Sequence, residues 1–322
     1  MKVERGRNIS SPPGVDMNSQ TRSISLPGVA ALVAAAVIAV LFLYSLYVRS
    51  TMFPLATDVL AVLLANCIQS LVFRAGLVFL IVRWHGERRG QLAFRRPAPM
   101  LTIYGLCLLV WQVAQTWLFR TLMVSLTNDS AKQTFIVTIT APLNAALYAL
   151  VAWLAWRFVT RMFRNDAFPM APPDNAAWRI AGLAAWLFAS VLLFFMTQAV
   201  PLMLDYYDDD FNLVMLNFVG AVVVPAALVC AGAKLGVPRD LGRLHVWRFL
   251  GASLAAMVSV LLLGYGTMRI LGIVSAAINL MSGMLTITIL AGICLAYRIS
   301  FRAFYAAVRG QAAEPSQGMQ SP

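Results

Sequence analysis

Charged side chains are scarce in this sequence. Asp, Glu, Lys and Arg together make up 12% of its 322 residues, whereas they make up roughly a quarter of an ordinary soluble domain. Apolar residues make up 60% of the chain, and the mean hydropathy is +0.76. A soluble fold needs more polar side chains than this to cover its surface. The composition therefore excludes a soluble enzyme, a disordered chain and a secreted disulfide scaffold, and it predicts a membrane protein.

Residues that bind metals and cofactors are equally scarce, with four cysteines and two histidines. All four cysteines fall inside apolar stretches, and none lies at metal-ligand spacing from another. His85 and His245 are expected in loops, as surface residues at the membrane interface. No nucleophile–base pair, Gly-rich phosphate loop or HExxH sequence is found. The sequence thus predicts no cofactor and a protein that is not an enzyme.

Long apolar stretches are abundant instead. A stretch of about 20 apolar residues crosses a bilayer core of roughly 30 Å as a helix. Because all remaining segments are short, we expect one all-α polytopic membrane domain whose helices pair as four in–out–in hairpins. Eight such stretches are found, at residues 28–48, 57–82, 100–122, 134–156, 179–201, 212–233, 249–268 and 273–296.

The net charge of +12 indicates how this domain is oriented. In a soluble protein, this charge would suggest nucleic acid as a partner. With the N-terminus placed inside, 20 of the 25 Lys and Arg residues fall in inner segments, four fall in outer segments, and Arg74 lies within a stretch. This asymmetry follows the positive-inside rule. It predicts that both termini are cytoplasmic and that no nucleic acid binds.

The predicted organisation has three parts. Residues 1–27 form a disordered cytoplasmic start, 28–297 the eight-helix domain, and 298–322 a cytoplasmic tail. The short loops favour a plasma membrane, specifically a bacterial inner membrane. Anionic lipid headgroups at the basic inner face are the expected partners, and a membrane-protein partner or a second copy of the chain is left open.

Two hairpins begin alike, with Trp178-Arg179 and Trp247-Arg248 followed by small residues at every fourth position. Such a pattern is typical of the parallel internal repeats of some transporters. The alternative is that Trp prefers the headgroup level and Arg the inner side, so that the pair recurs without common ancestry. Both interpretations remain open at this point.

Polar side chains inside the stretches are the candidate binding residues, because they are costly in lipid. Arg74 is foremost, since it lies about 13 Å from the inner end of its stretch at 1.5 Å per residue. It is expected either to extend towards the inner headgroups or to bind an anionic group inside the bundle. The other candidates for a polar central path are Asn66, Gln69, Gln112, Gln115, Asn144 and Asn279. Interhelical hydrogen bonding alone is the alternative role for these amides.

One acidic cluster lies on the predicted outer side. Asp205, Asp208, Asp209 and Asp210 are a candidate set of oxygen ligands for a hard cation. The alternative is a solvated loop whose carboxylates pair loosely with outer basic residues. The sequence therefore predicts no bound metal.

Three functions fit these features. The favoured one is a small permease or channel-like protein that moves a small solute by means of Arg74 and the amide-lined interior, with an anionic solute as one alternative. The second is a non-transporting scaffold, assembly factor or sensor subunit. The third is a membrane enzyme that acts on lipid, which is disfavoured because no second acidic or histidine cluster faces the first.

Overall fold

The computed structural model describes residues 26–52, 56–89, 93–126, 130–168, 176–207, 210–238, 244–273 and 278–313. The predicted disordered start, apart from its last two residues, and the end of the predicted tail lie outside these residues. The described residues form eight long helices: α1 Leu26–Met52, α2 Thr57–Arg89, α3 Pro97–Leu126, α4 Ser130–Met162, α5 Ala176–Tyr206, α6 Phe211–Gly236, α7 Val246–Ile273 and α8 Ile278–Ala313.

All eight helices contain an apolar segment long enough to cross a membrane. Helices are the form in which such segments enter lipid, because each backbone N–H and C=O group is satisfied within the segment. Large apolar side chains cover the outside of the bundle, as Leu32 (67% exposed), Trp117 (69%) and Leu262 (67%) illustrate. The chain is a multi-pass membrane protein, as the composition predicts.

Several helices are longer than the apolar stretches that predict them. α2 continues to Arg89 beyond the predicted end at residue 82, and α8 continues to Ala313 beyond the predicted end at residue 296. Hydropathy detects only the part of a helix that lies in lipid, so it misses turns that continue into the polar interface. The first part of the predicted C-terminal tail is therefore helical.

Three clusters of buried side chains hold the bundle together. One joins α1, α2, α3 and α4 around Tyr104 and Trp156, and another joins α5, α6, α7 and α8 around Phe249 and Tyr297. The third packs α2 against α5 and α6. Since α2 contributes side chains to all three clusters, it is the helix around which the others are arranged.

The α2–α5 contact depends on Gly76. A Cβ atom on Gly76 would lie 1.9 Å from Nε1 of Trp186. Glycine lets the indole approach α2 closely enough for Trp186 Nε1 to donate a 2.7 Å hydrogen bond to the Val72 carbonyl oxygen. A hydrogen bond from a side chain to a helix carbonyl fixes the rotation and the depth of one helix against the other.

One end of the bundle is held together by its connecting segments. Ala93–Phe94 pairs antiparallel with Ala167–Phe168, so the α2–α3 and α4–α5 connections form a two-stranded sheet. The α6–α7 connection is held there as well, because Leu244 N donates a 2.9 Å hydrogen bond to Glu87 Oε2. The hydropathy pattern does not predict this small sheet, because two-residue strands leave no periodicity to detect.

Candidate functional site

Arg74 lies near the middle of α2 and contacts two neighbouring helices. Its Nη1 donates a hydrogen bond to Gln112 Oε1 on α3. Its guanidinium carbon lies 5.0 Å from the centroid of the Tyr148 ring on α4. The side chain is half-buried. Arg74 therefore joins α2 to α3 and α4.

A second hydrogen bond lies on the α3–α4 side of the same helices. Gln115 Nε2 donates to Asn144 Oδ1, and the Gln115 side chain is 8% exposed. Gln112 and Gln115 share one face of α3 at a spacing of three residues, and Asn144 and Tyr148 share one face of α4 at a spacing of four. Gln112 and Tyr148 contact Arg74 of α2, whereas Gln115 and Asn144 contact each other between α3 and α4. With Arg74 they form what is called below the Arg74 cluster: Arg74, Gln112, Gln115, Asn144 and Tyr148.

Neutral groups contact the guanidinium of Arg74 among the described residues. An amide oxygen and an aromatic ring contact its guanidinium, and no carboxylate among the described residues forms an ion pair with it. A charged side chain at membrane depth is costly, and such residues usually pair with an opposite charge or bind a ligand. The guanidinium presents several N–H donors in a planar fork that matches the oxygens of a carboxylate or a phosphate.

Two buried polar atoms on α3 have no hydrogen-bond partner among the described residues. These atoms are Trp111 Nε1, a donor, and Gln115 Oε1, an acceptor. Trp111 lies one turn before Gln115 on α3, so both residues are on the same face of that helix. A buried polar group without a hydrogen-bond partner destabilises the folded protein. A ligand that both accepts and donates hydrogen bonds would therefore supply a partner for each of these two atoms.

The structure brings together only part of the predicted polar path. Arg74, Gln112, Gln115 and Asn144 lie in the cluster. Asn66 is exposed and donates from Nδ2 to the Val62 carbonyl oxygen one turn earlier in its own helix. Gln69 is half-buried and is not among the contacts of Arg74. Asn279 lies in the first turn of α8, and its side chain lies outside those that the structure describes.

Tyr148 and Trp111 belong to this region without being among the predicted binding residues. Tyr148 is 3% exposed and packs its ring against Arg74. A sequence signal for it exists, since Tyr148 follows Asn144 by one helical turn. Aromatic residues are so frequent in membrane spans, however, that this spacing alone does not distinguish a contact to Arg74 from ordinary packing.

The acidic cluster has at least one structural role. Asp210 is the N-cap of α6, and its side chain accepts hydrogen bonds from the backbone N–H groups of Asn212 (3.0 Å) and Leu213 (3.2 Å). Asp208 and Asp209 lie outside the described residues. Among the residues that the structure does describe, no group of three or more His, Cys, Asp or Glu side chains is placed to hold a metal ion.

Asp205 has different neighbours from Asp210. It lines a cavity of about 670 Å³ between α1, α2 and α5, and Arg49 and Asp58 line the same cavity. All three side chains are exposed. The cavity is an open recess at the ends of these helices, well away from the Arg74 cluster along α2, and its charges are hydrated.

The two histidines lie in different surroundings from each other. His245 is exposed just before α7, as expected. His85, by contrast, lies within α2 and is 7% exposed, so the expectation of a surface loop residue is wrong. The reason is that α2 continues past its apolar segment, and its last turns pack against the connecting segments at that end of the bundle.

Comparison with the models of known protein families, with curated proteins and with solved structures finds no match to this chain. The geometry of the chain itself is therefore what supports a function.

Proposed function

We propose that this protein is a small permease or channel-like protein that moves a small anionic solute, and that the Arg74 cluster binds the anionic group. One observation carries the proposal. Arg74 lies at membrane depth against an amide and an aromatic ring, without an ion pair to a described carboxylate. An anion that enters the bundle would supply the missing opposite charge.

The unpartnered atoms near Arg74 support a solute with an oxygen-bearing anionic group. Such a group accepts hydrogen bonds from the guanidinium and from Trp111 Nε1, while a hydroxyl on the same solute donates to Gln115 Oε1. Trp111 and Gln115 lie one helical turn apart on the same face of α3. A small hydroxycarboxylate has both groups and is the solute class that fits best.

The proposed topology has eight spans arranged as four in–out–in hairpins, with both termini in the cytoplasm of a bacterial inner membrane. It rests on the 20 of 25 basic residues in alternate segments. In this arrangement the sheet end of the bundle, where α2 ends, faces the cytoplasm. A reporter that fluoresces only in the cytoplasm, fused after Pro322, checks the orientation.

Flux through liposomes that contain the purified protein tests the proposal. The probes are potassium acetate, lactate and nitrate, with valinomycin to carry the potassium and light scattering to follow the swelling. We expect lactate or acetate to enter faster than into empty liposomes. Arg74→Gln should reduce that rate at least tenfold, because the charge that recognises the anion is removed, while Arg74→Lys retains part of the rate.

Arg49→Gln is the matched control, since it removes a cation that is exposed at the far end of α1. It should leave the rate within about twofold of the original, allowing for a weakly screened surface charge. Equal rates for Arg74→Gln and Arg49→Gln would contradict the assignment of the site. Absence of flux for all three salts would contradict transport of small anions.

A non-transporting membrane component is the second candidate, and one observation favours it. Arg74, Gln112, Gln115 and Asn144 all have contacts within the chain, as residues that only join helices would. In that case Arg74→Gln lowers the stability of the bundle, and the wild-type protein moves none of the probes.

A further inference from the structure

The last turns of α2 contain a buried imidazole that the Arg74 cluster does not use. His85 is 7% exposed, and its Nε2 atom has no hydrogen-bond partner among the described residues. His85 follows Arg74 by 11 residues, or about 16 Å along the helix axis. It therefore belongs to a different level of the bundle, near the end at which α2 stops.

Three arginines, Arg89, Arg157 and Arg88, lie close enough to this imidazole for their charges to act on it. Arg88 and Arg89 are exposed, and Arg157 is half-buried. Arg88 and Arg89 follow His85 by three and four residues, so they lie on the same face of α2. Arg157 comes from α4, which packs against α2, and its Nε atom is also buried without a hydrogen-bond partner among the described residues.

The neighbouring acid does not balance these charges. Glu87 forms an ion pair with Arg83, and its second oxygen accepts the hydrogen bond from Leu244 N. It is two residues from His85, so it points to roughly the opposite side of the helix at 100° per residue. Part of the arginine excess follows from the positive-inside rule. That rule does not explain why Arg157 Nε and His85 Nε2 are buried without a hydrogen-bond partner among the described residues.

Aromatic rings hold two of the guanidinium groups in place. The Arg157 guanidinium carbon lies 5.3 Å from the centroid of the Trp153 ring, and that of Arg88 lies 5.9 Å from the Trp84 ring. Stacking of this kind limits the conformations of a long side chain. Two of the three cations are thus oriented before any ligand arrives.

We propose that His85, Arg88, Arg89 and Arg157 form a binding site for a phosphate group. Phosphate oxygens accept several hydrogen bonds at once, and they match the planar N–H fork of arginine. The imidazole donates to the same group when its Nε2 carries the hydrogen. A bound phosphate provides partners for both unpartnered nitrogen atoms and reduces the repulsion among three like charges.

Two sources supply a phosphate at this level. An anionic lipid headgroup reaches the site from the membrane surface, where Trp84 and Trp153 are typical interface residues. A free phosphate reaches it from the water. Both present the same oxygens to His85 and the arginines, so the experiment has one arm for each source.

The chain has two histidines, which makes ¹⁵N-labelled histidine a direct probe in NMR spectra at constant pH. In the first arm, inorganic phosphate is titrated into the protein in a neutral detergent, with sodium chloride of equal ionic strength as the reference. In the second arm, nanodiscs of phosphatidylcholine are compared with nanodiscs that contain phosphatidic acid or phosphatidylglycerol. His245→Gln assigns the two signals.

We expect the His85 signal to move in at least one arm while the signal of the exposed His245 stays in place. Movement in both arms indicates recognition of phosphate from either source, and movement in the second arm alone assigns the site to lipid. A His85 signal that moves in neither arm overturns the proposal, as does a His245 signal that moves equally.

Arg157→Gln should weaken the binding about tenfold, because a charge-assisted hydrogen bond is lost. Arg161→Gln is the matched control: Arg161 is one turn further along α4 and is exposed, and its removal should change the affinity less than about twofold, as for a screened surface charge. Equal losses in the two variants would mean general attraction to a basic surface and would overturn the site. Arg89→Gln, at an exposed position, gives the same comparison if Arg157→Gln fails to fold.

Discussion

The first four helices and the last four are held together in different ways. α1, α2, α3 and α4 pack around a shared apolar cluster, and the Arg74–Gln112 and Gln115–Asn144 hydrogen bonds also join α2 to α3 and α3 to α4. α5, α6, α7 and α8 are linked by close backbone contacts and aromatic packing. A Cβ atom on Gly232 of α6 would lie 2.3 Å from the Cys294 carbonyl oxygen of α8, and the ring centroids of Phe249 on α7 and Phe301 on α8 are 6.2 Å apart.

Hydroxyl groups in both halves bond within their own helices, as Thr102 and Thr116 do in α3. Ser190, Thr197 and Ser259 donate their hydroxyl hydrogens to carbonyl oxygens of their own helices. Such hydrogen bonds satisfy the hydroxyl without joining two helices. Helix association in lipid has both packing and hydrogen bonding available, and the first four helices use both.

The difference indicates where a ligand can bind. A half that depends on glycine contacts and interlocked rings has little freedom to admit a solute, because close packing resists a change in volume. A half joined by amides and a guanidinium can exchange one hydrogen-bond partner for another. The comparison therefore favours α1–α4 as the half that binds the solute and α5–α8 as the rigid support.

The largest effect is expected where α6 and α8 touch. Gly232→Ala places a methyl group against the backbone of Cys294, which cannot rotate away, so the two helices must separate. We expect a loss of about 3 kcal/mol of unfolding free energy, at the upper end of the range for overpacking. Thermal unfolding in a mild detergent, followed by circular dichroism, measures it.

Gly220→Ala is the matched control, since Gly220 is in the same helix and a Cβ there meets no atom within 4 Å. Alanine is the better helix former by about 1 kcal/mol, so this variant should be as stable as the original or more so. Equal midpoints for the two variants would show that the close α6–α8 contact does not hold the last four helices together.

The architecture could be predicted from hydropathy, whereas these contacts could not. Apolar stretches of sufficient length identify all eight helices, because the bilayer imposes a length and a composition on each one. The Gly232-to-Gly236 spacing on α6 is a known signal for close helix approach that is not among the sequence-based predictions. Even when such a pair is found, it does not identify the partner helix, because the pairing depends on the whole bundle.

For the candidate site, the polar residues could be predicted from the sequence but the directions of their side chains could not. A charge inside an apolar stretch is unusual, and this identifies Arg74. Amides inside such stretches are costly in lipid, and this identifies Gln112, Gln115 and Asn144. Asn66 satisfies the same criterion, yet it points outward and bonds to its own helix. The direction of a side chain depends on which face of the helix is covered, and α2 contacts neighbours on so many sides that its polar residues do not reveal a single inner face.

An intermediate effect is expected where the two halves meet, at Gly76. Gly76→Ala displaces the Trp186 indole and breaks its hydrogen bond to the Val72 carbonyl oxygen. We expect a loss of about 2 kcal/mol in unfolding free energy, within the range for overpacking, together with a change in tryptophan fluorescence. The same detergent unfolding experiment measures it.

The background variant Trp186→Leu distinguishes a clash from a general effect of the substitution. Without the indole, Gly76→Ala should be neutral or slightly stabilising, because only the gain of about 1 kcal/mol in helix propensity remains. If Gly76→Ala lowers the unfolding free energy equally on both backgrounds, Trp186 does not determine how α5 packs on α2.

The smallest effect on stability is expected in the half assigned to binding. A double-mutant cycle with Gln115→Leu, Asn144→Leu and the double variant should give a coupling of about 0.6 kcal/mol, the average for interhelical hydrogen bonds in a membrane. A coupling of zero would mean that the hydrogen bond makes no contribution to the unfolding free energy.

If the Gln115–Asn144 pair only joins helices, flux in the liposome assay should follow the unfolding free energy of each variant. If it belongs to the solute path, each single variant should lose flux while its unfolding temperature stays almost unchanged, since residues kept for function are often not those that maximise stability. Stability and flux would then depend on different halves of the same bundle, and the contrast between α1–α4 and α5–α8 would be functional as well as structural.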